Sequence, residues 1–189
     1  AEGFPGLPVL GVVEPGAAAG CAASNSGRIA VIGTKSTIEG GAYQRAILSR
    51  RADARITALP CPLFVPLAEE GLTSGPIAEA VAAHYLGPVF ADTRSPDRPD
   101  CLVLGCTHFP LLKDTIAKVA GKDVLLVDSA ATTAVEVEKI LRERNLSARN
   151  AAPLSTRFLT TDDPSRFAAT GGRFLGMDIS VDNVELVDL

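Results

Sequence analysis

The fold of this chain is decided by the stretch Cys101-Leu102-Val103-Leu104-Gly105-Cys106-Thr107-His108-Phe109-Pro110-Leu111-Leu112. Its first four residues are apolar and predict a buried strand, and Gly105 permits a sharp turn where that strand ends. Pro110 suits the first turn of a helix, and the apolar residues after it recur at helical spacing. The side chains expected to face inward on that helix are Leu111, Leu112, Ile116 and Val119. The stretch therefore predicts a buried strand, a short loop and an amphipathic helix in direct succession.

The same alternation of strand and helix extends along most of the chain. Further strands are predicted at Val9–Val13, Arg28–Ile32, Arg55–Leu59, Val124–Val127, Arg157–Thr160 and Val184–Val187. Helices are predicted at Pro15–Ala23, Ile38–Ile47, Ile77–Tyr85 and Pro164–Ala169, and loops at Pro60–Leu67, Pro88–Asp100 and Asn145–Pro153. This order predicts an α/β fold with mostly parallel sheets and helices on both faces.

A long helix is predicted directly after Asp128, which is expected to cap it. Thr133 and Glu136 could form a capping box one turn later. The inward face of this helix is expected to hold Ala134, Val137, Ile140 and Leu141. A domain boundary is expected near Asp128, because a completed α/β run precedes it and a separate set of helix and strands follows.

Composition restricts the classes of partner. The 189 residues suffice for one large domain, or for one and a half smaller ones. With 47% apolar and 21% charged residues, the chain can bury a sizeable core. Neither the net charge of −4 nor the 5% aromatic content points to nucleic acid or an anionic membrane as partner.

The sequence favours a cytoplasmic protein. No apolar run approaches the roughly 20 residues needed to span a bilayer. Four widely spaced cysteines without a secretory pattern favour reduced thiols. Because the sequence opens on Ala1 rather than Met, we expect it to be a truncated version of a longer chain.

Cys106 differs from the other three cysteines in its context. It lies between a strand and a helix, in the kind of loop where α/β proteins bind ligands. The positive end of the helix dipole is expected to favour its thiolate over its thiol. This indicates a reactive cysteine, with a buried turn cysteine as the alternative. Cys21, Cys61 and Cys101 lie in apolar or proline-rich contexts that favour simple packing.

His108 could act beside Cys106 as a proton donor, because the reference pKa of imidazole is about 6.5. The plain alternative is a histidine at a helix start. Glu69 could orient His108, whereas Glu69 and Glu70 together are also typical of paired surface acids. Zinc binding by Cys106 and His108 is disfavoured, since two further ligands would be needed.

Two hydroxyls follow a neighbouring predicted strand. Thr34 and Thr37 could face the same cleft as Cys106, because the ends of parallel strands meet at one edge of a sheet. N-capping by Thr37 is the alternative role.

The segment Gly105–Leu112 resembles the second catalytic-cysteine motif of glutamate racemases, which work without a cofactor and supply D-glutamate for peptidoglycan. Three companion stretches occur in the order typical of that family. They are Val12-Val13-Glu14-Pro15-Gly16-Ala17, Ile32-Gly33-Thr34-Lys35-Ser36-Thr37-Ile38 and Cys61-Pro62-Leu63-Phe64-Val65-Pro66-Leu67-Ala68-Glu69-Glu70-Gly71. The resemblance covers essentially the whole chain.

The resemblance implies a role for each matching residue. Cys106 matches the acid/base cysteine that takes the proton from L-glutamate, and Glu69 matches the acid that supports the catalytic histidine, His108. Thr107, His108, Thr34 and Thr37 match residues that contact the substrate or line its cleft. No metal and no cofactor are implied. The family's Ala-Cys-Asn-Thr segment, which holds the first catalytic cysteine, does not occur in this sequence.

The resemblance also implies a division of the chain. Residues 1–13 would be the tail of a first α/β domain, residues 14–127 a second domain carrying Cys106, and residues 128–189 a segment that returns to the first. We expect a glutamate racemase with two catalytic cysteines, of which this chain carries only the second. The chain alone is therefore expected to invert glutamate poorly or not at all. The alternatives are an aspartate or hydantoin racemase and a non-catalytic ligand-binding domain. Family members often pair, which leaves homodimer formation open.

Overall fold

Four parallel strands form the sheet around which the chain is built. The structure is a computed structural model, and it describes residues 8–148 and 156–188. The strands are β1 (Arg28–Gly33), β2 (Arg55–Pro60), β3 (Cys101–Leu104) and β4 (Leu125–Asp128). Their order across the sheet is β2-β1-β3-β4, and every neighbouring pair is parallel. The four strands predicted for this region are therefore confirmed.

Helices connect these strands and cover both faces of the sheet. They are α1 (Val13–Ala23), α2 (Lys35–Gly40), α3 (Ala42–Arg50), α4 (Phe64–Glu69), α5 (Gly75–Phe90), α6 (Lys113–Ala120) and α7 (Ser129–Glu143). A 3₁₀ helix, Phe109–Leu112, precedes α6. The α/β fold with a parallel sheet and helices on both faces is confirmed.

Side chains from the central strands alternate between two cores. Ile29 and Val103 point to the face that α1 and α3 cover, where Tyr43 and Ile47 are also buried. Ile32, Leu102 and Leu104 point to the opposite face, where they pack with buried side chains of α4, α5 and α6. Because both faces are buried, β1 and β3 read in the sequence as unbroken apolar runs.

A second, smaller sheet lies near the end of the chain. Strands β5 (Phe158–Thr160) and β6 (Val184–Leu186) pair in parallel, and α8 (Pro164–Leu175) and a 3₁₀ helix at Val181–Asn183 lie between them in sequence. Both predicted strands are confirmed. The predicted helix is also confirmed, although it continues well past Ala169. Of the predicted loop Asn145–Pro153, residues 149–153 lie outside the described residues.

The predicted strand Val9–Val13 is wrong. Residues 8–12 form no strand, and α1 begins at Val13. Val9 and Val12 are 66% and 45% exposed, so no strand among the described residues covers them. Pro15 lies in the first turn of α1, where its missing N–H leaves no helical hydrogen bond unmade.

Two predicted loops are also partly helical. The end of Pro60–Leu67 belongs to α4, which has Pro66 in its first turn. The start of Pro88–Asp100 belongs to α5, whose last residue is Phe90. Proline is tolerated in a first turn, and in α5 it falls just before the helix ends.

The predicted inward face of α7 is also wrong in part. Val137 and Leu141 are each 38% exposed, and Ala134 is exposed as well. The expected cap is present, because the Asp128 carboxylate accepts hydrogen bonds from the backbone amides of Ala130 and Ala131. The capping box is absent, since the Thr133 hydroxyl donates to the Ser129 carbonyl at 2.6 Å.

None of the helices within residues 8–148 and 156–188 has both the length and the apolar character that crossing a membrane requires.

Candidate active site

A cavity of about 560 Å³ opens where β1 and β3 end. Ile32 pairs with Leu104 in the sheet register, so the loops after these two residues emerge side by side. Thr34 and Cys106 come from those loops and both line the cavity. This is the edge at which parallel α/β sheets bind ligands.

All the residues predicted to lie in the cleft are brought together there. The lining residues include Thr34, Thr37, Cys106, Thr107 and His108. Glu69 does not line the cavity but lies directly behind His108. Ser129, the first residue of α7, also lines the cavity, and its hydroxyl donates to the Leu104 carbonyl at 2.6 Å.

Gly105 sets how closely the Cys106 loop approaches the sheet. Its amide donates to the Ile32 carbonyl at 2.8 Å. A Cβ at Gly105 would lie 2.9 Å from that carbonyl oxygen and 3.0 Å from Cε2 of Tyr43. Since Gly105 is not among the glycines with a positive φ, space rather than backbone freedom requires a glycine here.

The Cys106 thiol is half-buried and packs against the apolar core. Burial raises the pKa of the Cys106 thiol, while hydrogen bonds from the His108 and Phe109 amides and the Thr107 hydroxyl lower it by less. The expectation that this loop favours the thiolate is therefore wrong for the protein as described. Apolar surroundings disfavour the charged sulfur, and the first helical turn after it is a short 3₁₀ helix with only a small dipole.

His108 and Glu69 form a close pair of titratable side chains beside Cys106. The His108 Nε2 atom lies 3.4 Å from Glu69 Oε1, and both side chains are largely shielded from solvent. Glu69 is the last residue of α4, whereas His108 directly precedes the 3₁₀ helix. The Thr107 hydroxyl lies 3.4 Å from Nδ1 of the same ring. The imidazole thus has a carboxylate on one nitrogen and a hydroxyl near the other.

The two threonines form a polar wall on the β1 side. Thr34, rather than Thr37, is the N-cap of α2, since its hydroxyl accepts the Thr37 amide at 3.3 Å. The two hydroxyl oxygens are 2.9 Å apart. The alternative that a threonine caps this helix is therefore confirmed, but the capping residue is Thr34 and not Thr37. Both hydroxyls can still exchange hydrogen bonds with a polar ligand in the cavity.

The other three cysteines lie outside the cavity lining. Cys61 and Cys101 are fully buried, and burial raises the pKa of each thiol to about 12. Cys21 is partly buried on α1, where burial also raises its pKa. The prediction that these three residues serve packing is confirmed.

Sequence reasoning missed the contacts that α8 makes with the site. The Arg166 guanidinium lies 2.7 Å from Glu69 Oε2, and the Phe174 ring packs edge-on against His108. Nothing in the local sequence signals these contacts, because Arg166 and Glu69 are separated by 97 positions. Within the described ranges, no three His, Cys, Asp or Glu side chains cluster closely enough to hold a metal ion.

Comparison with known families places this chain, whose Cys106 and His108 share the loop after β3, in a known class. A model of the Asp/Glu/Hydantoin racemase family matches residues 1–137, and the chain belongs to that family. A glutamate racemase of Geobacter metallireducens is 43% identical over 170 residues, which cover 90% of this chain and 61% of the relative.

Solved structures agree with this classification. The glutamate racemase isoform RacE1 of Bacillus anthracis superposes with a TM-score of 0.86 at 34% identity, covering 100% of this chain and 67% of that one. The Francisella tularensis glutamate racemase in complex with D-glutamate gives a TM-score of 0.83 at 33% identity, covering 97% of this chain and 65% of that one. The chain thus spans about three fifths to two thirds of the length of these proteins.

Proposed function

We propose that this chain carries the Cys106 half of the proton-transfer machinery of a glutamate racemase. The observation that supports this most strongly is the position of Cys106 in a cavity at the sheet edge, with the His108–Glu69 pair beside it. The α-proton of an amino acid is very weakly acidic, so its removal needs a strong base in a site that limits access of water. A thiol whose pKa is raised by burial is a stronger base once it ionises.

Each neighbouring side chain has a proposed role in that reaction. His108, oriented by Glu69, assists proton transfer at Cys106 and at the substrate. The hydroxyls of Thr107, Thr34 and Thr37 hold the carboxylate and ammonium groups of glutamate by hydrogen bonds. No cofactor takes part, and the product D-glutamate is proposed to serve peptidoglycan synthesis.

Inversion needs a second acid on the opposite face of the α-carbon. The remaining cysteines, Cys21, Cys61 and Cys101, are not among the residues that line the cavity. We propose that the opposite face is served by a second cysteine on polypeptide outside these 189 residues. The chain alone would then exchange the α-proton of L-glutamate without inverting it.

We propose the domain arrangement given by the sequence, with residues 14–127 forming the Cys106 domain and residues 1–13 and 128–189 belonging to a neighbouring α/β unit. The separate sheet of β5 and β6 supports this arrangement. The four free thiols support a cytoplasmic location.

Deuterium exchange tests the proposed chemistry directly. The chain is incubated in D₂O with L-glutamate or D-glutamate, and the Hα signal of each is followed by ¹H NMR. We expect the L-glutamate signal to decay and the D-glutamate signal to persist, because a base on one face removes the α-proton of one enantiomer only. Cys106→Ser should abolish the decay, while Cys21→Ser, which changes a cysteine outside the cavity, should leave it unchanged.

Three results would count against the proposal. Exchange that persists in Cys106→Ser would remove Cys106 from the mechanism. Faster exchange of L-aspartate or a hydantoin than of L-glutamate would favour the corresponding racemase. A folded chain that exchanges none of these substrates would favour a ligand-binding domain.

A further inference from the structure

One face of α8 is turned toward the site. Arg166, Arg173 and Phe174 occupy positions i, i+7 and i+8, which lie on the same side of an α-helix. Arg166 pairs with the Glu69 carboxylate, and Arg173 donates to the Glu69 backbone carbonyl. Phe174 meets the His108 ring edge-on, with ring centroids 5.4 Å apart. A single helix thus contacts both members of the His108–Glu69 pair.

The Glu69 carboxylate is divided between two partners. Its Oε1 atom faces His108 Nε2 at 3.4 Å, and its Oε2 atom faces Arg166 at 2.7 Å. The shorter contact, to a guanidinium, fixes the direction of the carboxylate. The direction in which Oε1 points at the imidazole is therefore set by Arg166.

The backbone of Glu69 is fixed by the same helix. α4 ends at Glu69, and the chain turns at Gly71, whose φ is +74°. The Arg173 guanidinium packs on this turn, so that a Cβ at Gly71 would lie 3.1 Å from its Cζ atom. Both ends of the Glu69 residue, its carbonyl and its carboxylate, are thus held by arginines of α8.

These contacts contribute little to folding. The Arg166 side chain is 63% exposed and the Glu69 side chain 31% exposed in the pair, and an ion pair this exposed contributes little to the free energy of unfolding. Removing Arg166 should therefore leave the fold intact. Removing Arg166 should instead allow the Glu69 side chain to adopt more conformations, and the His108 ring should then rotate more freely.

We propose that Arg166 and Phe174 are positioning residues, which hold Glu69 and His108 in a single arrangement beside Cys106. The catalytic consequence of this inference rests on the proposed function, whereas its structural consequence does not. Arg166 fixes the carboxylate, and Phe174 limits rotation of the imidazole. Loss of either should let His108 sample orientations that are unproductive for proton transfer.

Histidine NMR tests the structural consequence. The sequence holds two histidines, and His84 lies on α5, where its ring packs on Tyr85 and serves as an internal reference. In Arg166→Met, we expect the ring signals of His108 to shift and broaden while those of His84 stay fixed. Arg166→Lys, which keeps a charge near Glu69, should restore part of the native signal.

A matched control comes from the same part of the chain. Arg157 forms an exposed pair with Glu185 and is not among the described contacts of Glu69 or His108. Arg157→Met should leave both histidine signals and the exchange rate unchanged. Phe174→Leu should move the His108 signals alone, because the ring-current effect of the aromatic edge is lost.

Kinetics test the catalytic consequence. In the D₂O assay, Arg166→Met should lower kcat for L-glutamate exchange about 10-fold and leave KM within about 2-fold, because it misplaces an assisting group without removing a substrate contact. Unchanged His108 signals in Arg166→Met would overturn the inference even if the wild-type chain exchanges L-glutamate. Shifted signals with an unchanged kcat would overturn its catalytic part. A wild-type chain without exchange would refute the proposed function, while the NMR result would still decide whether Arg166 positions His108.

Discussion

Replacing Gly105 by alanine should destabilise the protein and displace Cys106. The added Cβ would lie 2.9 Å from the Ile32 carbonyl oxygen and 3.0 Å from the Tyr43 ring. Neither neighbour can easily retreat. Ile32 belongs to β1, which is hydrogen-bonded on both sides, to β2 and β3. The Tyr43 ring is 1% exposed, and its other edge lies 3.1 Å from the Cβ position of Gly16.

The expected loss of stability in Gly105→Ala follows from the close packing around this position. Forcing one extra carbon into a filled site typically costs about 1–3 kcal/mol. With an m-value of about 2 kcal/mol per molar urea, a loss of about 2 kcal/mol lowers the urea midpoint by about 1 M. Circular dichroism at a helix wavelength measures that midpoint.

Gly40→Ala is the matched control. Gly40 ends α2, has no heavy atom within 4 Å of its Cβ position and does not have a positive φ. The same substitution there should raise the free energy of unfolding by about 0.5–1 kcal/mol, because alanine loses less backbone entropy on folding. A Gly105→Ala midpoint at or above that of the wild type would refute the argument from enclosure.

Three further predictions concern the cysteines and the α7 cap. Alkylation of Cys106 by iodoacetamide, located by mass spectrometry, should be slow at pH 7 and accelerate as the pH rises, because burial raises the pKa of this thiol; fast reaction at neutral pH would contradict it. Burial raises the pKa of the Cys101 thiol to about 12, above the value of about 8.5 for an unfolded thiol. The stability that the buried, protonated Cys101 thiol contributes should therefore be complete below about pH 8 and be lost as the pH rises toward 12. Urea midpoints between pH 8 and 11 should fall less steeply for Cys101→Ala than for the wild type. Asp128→Ala should lower the free energy of unfolding by about 1 kcal/mol and leave the first turn of α7 frayed, which hydrogen exchange of the Ala130 and Ala131 amides would detect.

The central sheet could be predicted because its strands are buried on both faces. Such strands read as short apolar runs bounded by turn residues, as in Arg28–Ile32 and Cys101–Leu104. The same reasoning failed at Val9–Val13, where an apolar run is exposed and passes into a helix instead. An apolar run predicts burial only when other parts of the chain supply a surface to cover it. Periodicity also misplaced the inward face of α7, for the same reason.

The sequence identified which residues form the candidate site. It did not predict how buried these residues are or which distant side chains contact them. The resemblance of Gly105–Leu112 to a known motif named Cys106 and His108, and the structure places both in one cavity. The charge preference of Cys106 was predicted with the wrong sign, because helix position is visible in the sequence and desolvation is not. The partner of Glu69 on α8 was missed for a related reason, since a contact across 97 positions leaves no local pattern.

Local sequence patterns were enough to place the four strands of the central sheet, and to place a cysteine just after one of them. Both are local properties, set by which residues follow one another along a few turns of backbone. The tertiary structure alone decided how much water reaches Cys106, which oxygen of Glu69 faces His108, and why position 105 has no room for a side chain. These depend on atoms that folding brings together from distant parts of the chain, and both electrostatic energy and packing energy depend on distance in space rather than along the sequence.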